Sequence, residues 1–149
     1  MAVQPLQMNY AKTFDPFLKG QIPDMRTPAR DFSRNVQNVE GVQFGTPVAQ
    51  GTADRQCRPL ATGQGTKYIG FAVLDKTTNA EGRYQQYQAA RVRNEGPIVV
   101  TASVAVAAGD LAYVVPATGA VTNVATGNTQ VGQFDTSAGA GALVILNLK

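Results

Sequence analysis

The side chains that could carry chemistry are few and scattered. The 149-residue chain has no His, one Cys (Cys57) and ten carboxylates. Without imidazole, the commonest general base and the commonest neutral metal ligand are both missing. A Ser-His-Asp or Cys-His relay cannot be assembled, and a single Cys cannot build a Cys/His zinc site. The carboxylates show neither EF-hand spacing nor the close pairs that a glycosidase reading would start from. Asp54, Asp75, Asp110 and Asp135 adjoin turn residues, where Asp serves local backbone hydrogen bonding. Gly63-Gln64-Gly65-Thr66-Lys67 has the look of a phosphate loop. It lacks the Gly-Lys-Ser/Thr order, and a strand-like run follows where a helix N-terminus is required. Tyr84 and Tyr87 beside Arg83, Arg91 and Arg93 are either a stacking platform for single-stranded nucleic acid or Tyr rows on a sheet face with solvated Arg neighbours. The second reading is adopted. No catalytic, cofactor-binding or metal-ligating residue is nominated, and the chain is read as a non-enzyme with no cofactor.

Composition points the same way. Charged residues make up 15%, against about 25% in a typical soluble protein. Either the Thr/Gln/Asn-rich surface is merely quiet, or other subunits cover much of it, since interface cores are depleted in charge. A net charge of +3, with acids interspersed among the bases and no Lys/Arg run, argues against a direct nucleic-acid partner. Cys57 has no partner within the chain, so a disulfide framework is excluded and a reducing compartment is expected. Met1-Ala2-Val3-Gln4-Pro5 lacks the charged and apolar regions of a secretory signal. The longest strongly apolar run, Ala142–Leu146, is far short of the ~20 residues of a membrane helix. The expectation is a protein made in a cytoplasm and not partnered with a membrane.

The elements that would position such residues divide the chain at about residue 40. Residues 1–40 read as an extended N-terminal arm. Pro5, Pro16, Pro23 and Pro28 each remove a backbone donor and push their predecessors towards extended geometry. The arm nevertheless holds Phe14, Phe17 and Phe32, half of the six Phe, together with Leu18 and Ile22. Disordered segments are usually poor in aromatics. The arm therefore either folds back on its own domain or lies in a groove of a neighbour. Phe14, Phe17, Leu18, Ile22, Arg26, Arg30, Phe32 and Arg34 are its candidate subunit-interface residues, the arginines to be paired with carboxylates at the rim.

Residues 41–149 read as one all-β domain, a jelly-roll-like sandwich or a barrel. Tyr68–Leu74 is a short run with β-branched and aromatic members. Tyr84–Arg93 is read as a strand ended by the turn signal Asn94-Glu95-Gly96-Pro97. Ile98, Val100, Ala102, Val104 and Val106 alternate onto one face. Leu111, Tyr113 and Val115 are expected to form the next inward row, and Leu143–Leu148 a closing buried strand. Turns every 8–12 residues suit a sandwich or barrel. A faint duplication is present as well. Gly45-Thr46-Pro47-Val48 leads to Tyr68-Ile69-Gly70-Phe71 and Asp75, and Gly109-Asp110-Leu111-Ala112 leads to Gln130-Val131-Gly132-Gln133 and Asp135. Two β-halves of like design would produce this, and so would chance in a Gly-rich β-protein.

The stretch from about Asn38 to Lys149 resembles the capsid decoration, or cement, proteins of tailed double-stranded-DNA bacteriophages. The resemblance is carried by Gly45-Thr46-Pro47-Val48, Tyr68-Ile69-Gly70-Phe71-Ala72, Val106-Ala107-Ala108-Gly109-Asp110-Leu111-Ala112-Tyr113-Val114 and Thr118-Gly119-Ala120-Val121-Thr122. Val131-Gly132 ahead of Val144-Ile145-Leu146-Asn147-Leu148 completes it. It implies a virion structural protein on the capsid exterior, made in the host cytoplasm. Such a protein binds the major capsid protein as a homodimer or homotrimer and ties neighbouring subunits together, without enzyme activity or cofactor. The alternative is a tail or fibre component, or a general protein- or carbohydrate-binding β-module.

Overall fold

A computed structural model describes residues 17–63, 65, 67–76 and 82–149. Eleven strands and no helix appear among them. In chain order they are β1 (Arg30–Val36), β2 (Val42–Gln43), β3 (Pro47–Gln50), β4 (Gln56–Pro59), β5 (Tyr68–Ala72), β6 (Arg83–Tyr84), β7 (Ala89–Thr101), β8 (Leu111–Val114), β9 (Val121–Thr122), β10 (Thr129–Phe134) and β11 (Leu143–Leu148).

One continuous sheet runs through both halves of the molecule. Strands β1-β4-β3-β5-β7 are hydrogen-bonded in that order, and the first half of β7 pairs back to β1, which closes a barrel. Only the β1–β4 contact in it is parallel. The second half of β7 carries the same sheet on through β11-β10-β8-β9. A parallel bridge between Ala102 and Val121 brings β9 back to the end of β7. The all-β expectation is thus met as a closed barrel with extra strands, not as the two facing sheets of a jelly roll.

The duplication is real, and the structure shows it pairing by pairing. In β3–β5, Val48 opposes Gly70 and Ala49 opposes Tyr68, so Ile69 is a bulge. In β8–β10, Ala112 opposes Gly132 and Tyr113 opposes Gln130, so Val131 is the same bulge. Gly70 and Gly132 each lie against a neighbouring strand so closely that a Cβ would strike the carbonyl of Arg93 or Asn147. Gly45 N–H donates to Ala72 as Gly109 N–H donates to Phe134. Val42 pairs with Tyr84 as Val106 pairs with Ala138. Tyr87 N–H donates to Val36 as Gly141 N–H donates to Ala102. Strand β7 closes the first unit and opens the second. Asp75 and Asp135 are not counterparts, because Asp135 N–H bonds Ile145 as Val73 N–H bonds Arg91.

Each unit has its own core. Val36, Val42, Phe44, Val48, Cys57, Ala72, Tyr84, Ala90 and Val92 fill the first. Ile98, Val100, Ala112, Val114, Phe134, Val144 and Leu146 belong to the second, which also takes in Ala49, Leu60, Phe71 and Val73. Ala49 and Phe71 alternate along β3 and β5 with Val48 and Ala72 of the first core, and Leu60 and Val73 directly follow β4 and β5, so the outer face of the first barrel packs on the second unit.

Three local expectations are corrected. Residues 30–36, read as arm, are a stave of the first barrel, and the folded body begins before residue 41. The Asn94–Pro97 signal does not end a strand, since β7 runs through it. Gly96, at φ +106°, bends β7 where it passes from one unit to the other, which is how strands turn corners between sheets. In β8 the inward residues are Ala112 and Val114, while Leu111 is exposed. The bulge at Val131 sets that register, and a one-residue shift exchanges the two faces.

Candidate functional site

The segment before β1 is tied to its own chain. Gly20 N–H donates to Val99 O at 2.7 Å, and Val99 N–H donates to Gln21 O at 2.9 Å. Leu74 N–H donates to Gly20 O at 2.8 Å. The segment thus fills the free side of β7 where the two units diverge. Gly20 is needed here, because its φ is +84° and a Cβ would lie 2.8 Å from Gly45 N.

The nominated interface residues divide accordingly. Phe14 lies outside the described residues. Phe17 is half-buried and Leu18 exposed. Ile22 packs against the core of the second unit and Phe32 against that of the first. Arg26 bonds Asp24 and reaches Asp135 at 3.0 Å. Hydrogen bonds to Asp24 and then Asp135 raise its already high pKa. Arg30 bonds Glu95 at 3.3 Å, and the Arg34 guanidinium lies 4.5 Å over the Phe32 ring. For residues 17–36, exposed Leu18 apart, the structure therefore brings the nominated side chains against the chain's own body.

A partly buried ionic cluster fastens β1 to the bend of β7. Arg93 Nε donates to Asp31 Oδ1 at 2.6 Å, and its NH1 group donates to Pro97 O at 2.9 Å. Arg91 bonds the same carboxylate. Burial pushes the Asp31 carboxyl up, but bonds from Arg93 and Arg91 outweigh it and hold it below the usual range. Cys57 is fully buried in the first core, and burial pushes its thiol up to about 11. Among the described residues, no three His, Cys, Asp or Glu side chains come together where they could hold a metal.

The surface carries large apolar side chains that sequence reasoning did not place there, and Tyr87, read with Tyr84 as a row on a sheet face, lies in a turn while Tyr84 is fully buried. Met25, Val39 and Tyr87 are 102%, 81% and 72% exposed. Val39 and Tyr87 belong to adjacent loops at one end of the first barrel, joined by Gln86 Nε2–H donating to Gln37 O. Tyr87 sits at φ +67°, where L-residues other than Gly, Asn and Asp are uncommon. Its counterpart Gly141 has φ +79°. The positive φ belongs to the repeat, and the Tyr is peculiar to the first unit. No signal in a single unaligned sequence marks that difference.

The family model of the structural cement protein (E217 gp24/Pam3 gp6) matches residues 6–149. The chain belongs to the phage structural cement proteins. It is therefore a capsid-binding structural protein of the virion. A chain of the capsid of Myoviridae phage XM1 shares the cement protein's fold, with a TM-score of 0.68 at 20% identity over 93% of each chain. The head fiber gp8.5 N base of bacteriophage phi29 has a TM-score of 0.47 at 14% identity, covering 81% of this chain and 94% of that one. The comparison with curated proteins gives no match.

Proposed function

We propose that the protein sits on the exterior of the phage head and ties neighbouring major capsid protein subunits together, acting as a homodimer or homotrimer. The family match over residues 6–149 carries this reading. The exposed Val39–Tyr87 pair supports it, because a Tyr kept in a strained, solvent-facing loop suits a surface awaiting a partner. Phe14, Phe17 and Leu18 are proposed to contact a neighbouring subunit. Ile22, Arg26, Arg30, Phe32 and Arg34 are proposed to shape the surface around that contact from within the chain. Neither nucleic acid nor a membrane is part of the proposal.

The test is the thermal stability of the particle. A ligand that binds only the assembled lattice stabilises it by mass action. Heads lacking the protein should burst at lower temperature than decorated heads, and adding purified protein should restore the difference. Equal melting temperatures with and without bound protein would remove the cementing role.

A further inference from the structure

The repeat allows the two barrel interiors to be compared position by position. In the second unit Ile98, Val100, Val131 and Leu148 seal one end, each no more than 2% exposed. The pairings place Phe32, Arg34, Ile69 and Asn94 at the same positions in the first. Phe32 opposes Val92 and Arg34 opposes Ala90, as Ile98 opposes Leu146 and Val100 opposes Val144. Ile69 and Val131 are the two bulge residues. Asn94 follows Arg93, opposite Phe71, as Leu148 follows Asn147, opposite Gln133.

Four aliphatic side chains thus close one barrel, and their counterparts leave the other open. All four counterparts are only half-buried. With Arg30 and Lys149 at its rim, the mouth is a groove of about 550 Å³. Its floor is apolar, since Phe32 and Ile69 rest on the core below. Beneath its walls lie polar atoms in want of partners. Arg34 Nε, Asn94 Oδ1 and the hydroxyl of Tyr68, which also lines the groove, are buried without a hydrogen bond among the described residues. Such atoms are uncommon in native structures and ask for an explanation. The nearby carboxylate of Glu95 offsets Arg30, and Arg34 and Lys149 leave the groove with a positive excess.

We infer that this open barrel mouth is the docking groove for an extended acidic peptide segment of the capsid subunit. On docking, the half-buried Arg34 and Asn94 side chains turn towards the peptide, whose extended backbone then offers acceptors to Arg34 Nε and donors to Asn94 Oδ1, and an acidic side chain answers the cations. A phosphate backbone offers acceptors alone. The chain's own first sixteen residues carry one Lys and one Asp and bring no net charge. The inference rests on the capsid-binding reading and names the surface that performs it.

The test uses the full chain, undecorated heads and overlapping 12-residue peptides covering the major capsid protein. An acidic peptide among them should shift the amide resonances of Phe32, Arg34 and Asn94 and the Arg34 Nε–H signal. Asn94→Leu installs the second unit's sealing residue. It should leave the melting temperature unchanged or higher while head affinity falls at least tenfold. Arg30→Glu, on the exposed rim, should lower head affinity without unfolding the protein. If both variants bind heads as tightly as the unaltered chain, the groove is overturned and the cement reading stands. If the unaltered chain does not bind heads, the cement reading falls and takes the groove with it. Equivalent shifts from an oligothymidylate, or from a peptide of residues 1–16, would also overturn the assignment.

Discussion

Asp31 and Arg93 decide how firmly the first barrel closes. Arg93 has a side chain 7% exposed and Asp31 one 18% exposed, so water screens the pair poorly. Removing one partner of this partly buried pair leaves a charged donor without its acceptor, which costs about 1–3 kcal/mol. Asp31→Ala should therefore lose about 2 kcal/mol in urea denaturation. Asp31→Leu combined with Arg93→Met should lose less than the two single changes added together. The pH dependence has a definite sign. Asp31 binds its proton less readily folded than unfolded, so its stabilisation is complete above the ordinary value of 3.8. It disappears as pH falls through the lower folded value. Asp31→Asn should flatten the loss of stability below that pH, and an unchanged acid profile would mean the pair contributes nothing. Tyr87 shows the opposite relation between stability and use. A left-handed residue other than glycine carries roughly 1 kcal/mol of strain or more. Tyr87→Gly, the residue of the second unit, should raise stability by about 0.5–1 kcal/mol after the entropy of glycine in the unfolded chain is counted. It should also weaken attachment to heads. Undiminished attachment would show that the ring has no contact there.

At the scale of elements, β1 and β7 carry the information that local pattern conceals. Strands β5, β10 and β11 fall where alternation and apolar runs place them: β5 and β11 are short apolar runs buried on both faces, and all three have turn residues at their ends. Arg30-Asp31-Phe32-Ser33-Arg34-Asn35-Val36 has no such look. Its strand is held by pairing with Ala89–Glu95 and by the Arg93–Asp31 bond, partners about sixty residues away in sequence. An Asn-Glu-Gly-Pro string reads as a turn because Gly and Pro relax the local backbone, yet the neighbouring staves keep β7 extended through it. Truncation tests the placement of β1. A chain starting at Asn38 loses β1 and the Gly20–Val99 bonds, and the opened barrel should unfold or aggregate. A soluble, cooperatively folded product would show that β1 is dispensable.

The whole molecule is two copies of one design welded along a shared strand. Gly96 bends β7 without interrupting it, and Phe71, Val73, Leu60 and Ala49 extend the second core across the boundary. The halves should therefore not unfold separately. Calorimetry should give one transition with equal calorimetric and van't Hoff enthalpies, whereas two resolved transitions would make the units independent. Sequence alone pointed to the class of the fold. The absence of His, the lone Cys, the dispersed carboxylates and the period-two patterns are one-dimensional facts, and they suffice for an all-β body without catalytic vocabulary. The order of its short Gly-rich motifs also sufficed for the cement resemblance. Sequence left the duplication undecided, because its signature lies in which backbone groups pair and where bulges fall, and many residue types satisfy the same pairing. Only the folded chain placed Asn94 opposite the role of Leu148 and Tyr87 opposite that of Gly141. Those equivalences exist in space, where hydrogen-bonded register overrides local propensity, and they mark the positions at which one copy of the design was left open.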